Sequence, residues 1–285
     1  MKFATSEIRT SVTILSKIYQ GLHLCFRGPK FLQYWGIDEA ESIVFSSFWE
    51  ATEESDPSDP LLGMTFFILC DEILRACKTN VSTTLFFEIM NKGTPEEELK
   101  AHLDERGSFL RLNVLPNRME NPGTLTLNPE HRIVLQSTKL KGAFAAVEPQ
   151  KVVPIDIVNE NGTLFFLVRD PTSKEPIQKQ WITETCIEKD FCATISKPYL
   201  RHVLLFMRGK EEIHLEFDER YDFALLSQGH SRFLMSKPSL PQRINPETLI
   251  ADVSKQLEGL EKTIKEKEGD EDVRRYLNLP NLPVP

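Results

Sequence analysis

The side chains able to make or break bonds are scattered through this sequence. His23, His102, His131, His202, His214 and His230 stand singly, away from any HExxH helix, GxSxG elbow or glycine-rich phosphate loop. Cys25, Cys70, Cys77, Cys186 and Cys192 form neither a CxxC nor a CxxH pattern, so no metal site is expected from them. Thr52 to Pro60, with four carboxylates and two prolines, reads as a solvated loop. Neither catalysis nor a cofactor follows from these residues. The chemistry that does recur is attraction of phosphate. Arg9 and Lys17, Arg75 and Lys78, Lys139 and Lys141, and Arg201 and Arg208 with nearby Lys210 are cations carried by four helix-like segments.

Each of those segments has an apolar stripe that must rest on something. Leu200, Val203, Leu204 and Met207 follow helical spacing, Arg201 and Arg208 share another face, and Gly209 supplies a stop. Ile8, Val12, Leu15, Ile18 and Tyr19 do the same in a helix expected from about Ile8 to Gln20 and ended by Gly21. Ile73, Leu74 and Cys77 pack a helix over Asp71 to Thr79, and Leu140, Phe144 and Val147 pack one over Ser137 to Val147. Lys139 and Lys141 flank that last stripe on opposite sides, so at best one of them points squarely away from it.

Between the helices the pattern is one of short strands. They are expected at Phe3 to Ser6, Leu22 to Phe26, Phe31 to Trp35, Ser42 to Trp49 and Met64 to Leu69, then at Thr84 to Met90, Phe109 to Leu115 and Gly123 to Leu127. Thr94 to Gly107, with its acidic run, reads as a loop or a short surface helix. The order then begins again. Strands fall at Arg132 to Leu135, Val152 to Val158, Leu164 to Val168, Gln178 to Ile187 and Lys189 to Ile195, and after the last helix at Glu212 to Phe217, Tyr221 to Leu226 and Ser231 to Met235. The chain is α+β, with a repeat of topology but no obvious repeat of sequence. Its expected parts are 1–128, 129–237 and a tail, 238–285, holding a charged amphipathic helix at about 247–267 and a proline-rich end.

The totals fit a soluble intracellular protein. The 285 residues, 40% of them hydrophobic, can fill two ordinary cores, and the formal charge of -8 argues against a surface that coats nucleic acid as a whole. A local basic lining remains compatible with it. An odd number of dispersed cysteines indicates a reducing compartment, and neither a signal peptide nor a membrane span is expected.

The duplicated order over about Met1 to Lys237 resembles the DNA sliding-clamp family, which includes proliferating cell nuclear antigen and the subunits of the nine-one-one DNA-damage checkpoint clamp. Met1-Lys2-Phe3 looks like the start of the Hus subunit of that clamp. Ile133-Val-Leu-Gln-Ser-Thr-Lys-Leu-Lys-Gly-Ala-Phe144 looks like the opening of the second domain in its smaller Rad subunit. The two phrases point to different subunits.

The resemblance implies two tandem clamp-type domains, each with antiparallel sheets outside and two helices inside, forming part of a ring around duplex DNA. The helix cations would face phosphates without reading bases, which permits sliding. Subunits of such rings join by pairing edge strands. By position these would be Gly123 to Leu127 (Thr124, Leu125, Thr126 and Leu127) and, on the neighbour, Gln178, Lys179, Gln180, Trp181 and Ile182. Implied partners are double-stranded DNA, two other clamp subunits or further copies of this chain, a clamp loader, and repair or checkpoint proteins, in the nucleus. The alternatives are a homotrimeric replication clamp and a β-rich adaptor without DNA, whose partner surface would be Phe45, Phe48, Trp49, Phe86 and Phe87. The connector of about Asn117 to Pro129 is short for a replicative clamp, which leans the reading toward a checkpoint role.

Overall fold

The computed structural model describes residues 1–38, 42–90, 92, 98–103, 107–115, 125–151, 154–207, 209 and 211–238. Arg208, Lys210, Thr124 and the tail beyond Pro238, including the helix expected at 247–267, lie outside the described residues.

The first half runs β1 (Lys2–Ala4), α1 (Thr5–Leu15), β2 (Gly21–Phe26), β3 (Phe31–Ile37), β4 (Ile43–Glu53), β5 (Thr65–Leu69), α2 (Cys70–Thr79), β6 (Thr84–Met90), β7 (Glu98–His102), β8 (Phe109–Leu112) and β9 (Val114–Leu115). The second half repeats the order. It runs β10 (His131–Gln136), α3 (Ser137–Val147), β11 (Pro154–Glu160), β12 (Thr163–Arg169), β13 (Pro176–Glu184), β14 (Phe191–Ser196), α4 (Lys197–Phe206), β15 (Glu212–Phe217), β16 (Phe223–Gln228) and β17 (Ser231–Ser236). All four helices are entered directly from a strand: Ala4, Leu69, Gln136 and Ser196 hold extended backbone at the N-cap and donate no side-chain cap. Packing of the apolar stripes, rather than capping, therefore fixes where each helix begins.

The recorded strand pairings are antiparallel. One four-stranded sheet has the order β13-β12-β11-β14, and the larger sheet runs β10-β15-β16-β17-β4-β1-β6-β7-β8, with β2, β3, β5 and β9 branching from it. The halves meet where β17 pairs with β4, placing Phe233 opposite Phe45 and Met235 opposite Ile43. Phe45, Phe206 and Phe233 pack there edge-on or tilted, with ring centroids 4.5 to 5.4 Å apart. A continuous apolar core lies between sheets and helices, including Ile8, Val12, Ile73, Leu140, Val147, Leu200 and Val203.

Five expectations are corrected. β7 occupies part of the stretch expected to be loop or helix, because Leu99 and Ala101 alternate inward and are buried. No strand forms over the described part of Gly123 to Leu127: Leu125 is buried, and its carbonyl accepts from Arg232 Nη1 at 2.8 Å. α1 stops at Leu15, so Lys17 lies in the turn beyond it. Gly21 begins β2 instead of ending a helix. A Cβ there would stand 2.7 Å from the Phe67 ring and 2.8 Å from the Ile68 carbonyl, so the glycine permits close approach of β5. Phe45, Trp49 and Phe87 are core residues, and Phe48 and Phe86 are half-buried. Such aromatics do not supply the open partner surface of a β-rich adaptor.

Candidate nucleic-acid interface

The four helices form one connected layer, in the order α2, α1, α4, α3. α1 packs on α2 and on α4. α1 and α2 run antiparallel, tied at one end by Asn80 Nδ2 donating to Thr5 Oγ1 at 2.9 Å and at the other by the Cys70 amide donating to the Gln20 carbonyl at 2.8 Å. α3 and α4 are joined by side chains that reach each other's C-terminal carbonyls. Lys141 Nζ donates to the Met207 carbonyl at 2.5 Å, and Ser137 Oγ donates to that of Gly209 at 2.5 Å. In return Lys197 Nζ donates to the Glu148 carbonyl at 3.2 Å and also to that of Gln150. Carbonyls left unpaired at a helix C-terminus carry partial negative charge, so each lysine serves both as hydrogen-bond donor and as countercharge.

The cations named from the sequence thus separate into three groups. Arg9, Lys17, Lys78 and Lys139 are exposed and make no ion pair among the described residues. Arg75 and Arg201 are half-exposed but paired, with Glu72 and Glu148 respectively, each at 2.5 Å. Such exposed pairs hold little energy and can be exchanged for phosphate. Lys141 belongs to the protein's own framework. Burial lowers its pKa below that of a free lysine and lowers that of Lys197 too. Lys197 was not singled out in the sequence, since its partner is the far end of another helix and no local spacing announces it.

His202, between Arg201 and the core, is half-buried. Burial first, then Arg201 and Lys17, holds it below the usual histidine range, so it stays neutral at neutral pH and adds no charge to the layer. Burial also pushes the Cys70 and Cys77 thiols to about 12, which leaves both unreactive. Among the described residues no group of His, Cys, Asp and Glu side chains is placed to hold a metal ion.

The sheets leave edges. Among the described residues β13 and β14 end the four-stranded sheet, and β10 and β8 end the path of the larger one. β9 pairs with β5 alone and exposes Val114 and Leu115. On β13, Ile177 and Trp181 are 48% and 50% exposed. Gln178 to Ile182 therefore do lie on an edge strand. The corresponding edge of the first half is β8 and β9 rather than Gly123 to Leu127.

No protein-family model matches the sequence, and no curated protein matches it. Solved structures do match. A PCNA2-PCNA3 complex from Sulfolobus tokodaii superposes with a TM-score of 0.62 at 12% identity, over 83% of this chain and 98% of that one. The chain has the DNA sliding-clamp fold. PCNA from Thermococcus kodakaraensis matches this clamp fold with a TM-score of 0.62 at 16% identity, over 84% of this chain and 99% of that one. A DNA polymerase sliding clamp from Pseudomonas aeruginosa gives 0.66 at 13% identity, and there the match spans 66% of the longer chain. In clamp-fold terms, the helix layer and the two strand edges are the surfaces left to explain.

Proposed function

We propose that this chain is a subunit of a ring-shaped sliding clamp that encircles duplex DNA without reading its sequence and acts as a platform, with no chemistry of its own, in DNA-damage checkpoint signalling and repair. Residues 1–128 and 129–237 are its two clamp-type domains. The observation that carries the reading is the internal junction. The last strand of the second half, β17, joins the fourth strand of the first half, β4. The same two positions in the repeat, β8 and β13, are left as edges of the two sheets among the described residues. A head-to-tail contact between unlike edges generates a closed ring when the rotation closes.

The helix layer would form the inner wall. Arg9, Lys17, Lys78 and Lys139 supply its unpaired cations, and Arg75 and Arg201 supplement them by exchange of partners. Arg208 and Lys210 extend the proposal outside the described residues. β13, from Gln178 through Ile182, is one ring contact. Checkpoint work in the nucleus, a clamp loader and clamp-bound repair proteins follow from the Met1-Lys2-Phe3 and Leu135-Gln-Ser137 phrases and the short connector.

The test is topological. The chain, purified with the subunits it assembles with, is loaded on circular duplex DNA, washed at high salt, and the DNA is then linearised. A ring is retained on the circle and lost from the free ends. Equal retention on linear DNA, or loss from both at the same salt, counts against encirclement.

A further inference from the structure

The internal repeat makes it possible to ask whether the β8 and β13 edges of this chain fit each other. In the first half, Phe66, four residues before α2, pairs with Leu24, which faces Tyr34, which faces Ser47. In the second half, Ala193, four residues before α4, pairs with Ile157, which faces Phe166, which faces Gln180. Gln180 therefore holds the place of Ser47, and Gln178 that of Phe45. For the last strand, Phe87 faces Ala101 and then Leu110, while Leu215 faces Leu226 and then Phe233. Leu110 holds the place of Phe233. The internal pair Phe45 and Phe233 would be answered, between two copies of this chain, by Gln178 and Leu110.

These do not match. At the internal junction the row facing the helices, Ile43 and Phe45 against Met235 and Phe233, is apolar on both sides and fully buried. On β13 that row is Gln178 and Gln180, with the Gln178 amide hydrogen-bonded to the Ala146 carbonyl at 3.0 Å and to Gln150 at 2.8 Å. Its exposed apolar side chains, Ile177 and Trp181, lie on the opposite, outer face, and the buried Ile182 lies further along the strand. β8 has the ordinary polarity, with Leu110 and Leu112 inward and Arg111 outward. Cross-strand neighbours share a face, so pairing the two edges sets leucine against glutamine inside. β13 also carries Pro176, which lacks an N–H, and Lys179, both devices that discourage indiscriminate edge pairing. Pro176 faces Arg169 across a bulge, where the internal junction has Val44 facing Ile37.

We infer that the β13 edge is built for a strand of a second, different clamp-type subunit, one whose row toward the helices is polar and whose outer row is apolar, and that this chain's own β8 edge does not fit it. The inference rests on the ring reading above. It makes each subunit contact chemically distinct: an apolar inner seam at β8 and a polar one at β13.

Sedimentation velocity of the full chain tests it, alone and with Pro176→Val and Gln178→Phe combined, the residues of the internal junction grafted onto β13. The wild type is expected at 32.7 kDa across micromolar concentrations. The graft should self-associate at least tenfold more tightly, and adding Leu110→Glu should abolish the gain. A wild-type chain that forms a closed trimer by itself overturns the inference while leaving the ring reading intact. A graft that keeps its circular dichroism and stays monomeric overturns it as well. A graft that associates regardless of Leu110→Glu makes contact elsewhere and removes the strand register, and with it the ring reading.

Discussion

Lys141 Nζ donates to the main-chain oxygen of Met207 at 2.5 Å, across from its own helix to the C-terminus of the next. A lysine placed by sequence on the phosphate-facing side is thereby assigned to holding α3 against α4. Lys141→Met, which keeps the stem and removes the donor, should cost about 1 to 3 kcal/mol of stability, since it strips a charged hydrogen bond from a helix-end carbonyl. Denaturant melts read this directly. DNA binding by the folded variant should keep the wild-type salt dependence, and a reduced slope would place Lys141 among the phosphate contacts.

The exposed cations should behave the other way. Arg9→Gln, Lys78→Gln and Lys139→Gln leave packing untouched, so melting temperatures should stay near wild type. Each phosphate contact removed should lower the slope of log affinity against log salt by roughly 0.9. Fluorescence anisotropy on a duplex over a salt series measures it, with the assembled clamp as the sample. Unchanged slopes in all three would take the helix layer away from DNA.

Phe233 is fully buried and its ring packs, tilted, on that of Phe45 at 4.5 Å across the junction of the halves. Phe233→Ala should cost about 3 to 5 kcal/mol, the usual range for emptying such a site. A loss under about 1 kcal/mol would mean that β17 and β4 hold without the aromatic contact, contrary to the burial seen here.

The histidines set an acid limit. His202 is held below its ordinary value of 6.5 by burial, then by Arg201 and Lys17, and burial does the same to His131. With the folded pKa depressed, the unfolded chain takes up the proton first, so stability should fall as pH drops below about 6.5 and continue to fall until the folded value is passed. His202→Asn should flatten this dependence between pH 7 and 5 in thermal melts. An equally steep fall in the variant would assign the sensitivity to His131 and the carboxylates.

Much of this architecture was readable from spacing. Helical stripes such as Leu140, Phe144 and Val147, and strand alternation such as that around Leu85 and Phe87, each report a single buried face, and a face needs no knowledge of its partner. β7 escaped because Leu99 and Ala101 are its only inward residues and sit among charges beside an acidic run. Gly123 to Leu127 reads as an edge strand because Thr-Leu-Thr-Leu alternates, yet alternation cannot tell a paired strand from a segment anchored by a distant arginine. Partnership was equally hidden for the helix cations. Lys139 and Lys141 are two residues apart with the same charge, and only the position of the α4 terminus separates their roles.

The crossed lysines of α3 and α4 also have a mechanical meaning. Lys141 pulls on the end of α4 while Lys197 pulls on the end of α3, so the two contacts lie near opposite ends of an antiparallel pair. Sliding one helix along the other lengthens both at once, and neither can relax by lengthening its partner. The pair resists shear as a riveted plate does, and load applied at the β13 edge, which Gln178 ties to Ala146 on α3, is carried through to α4 with little slip.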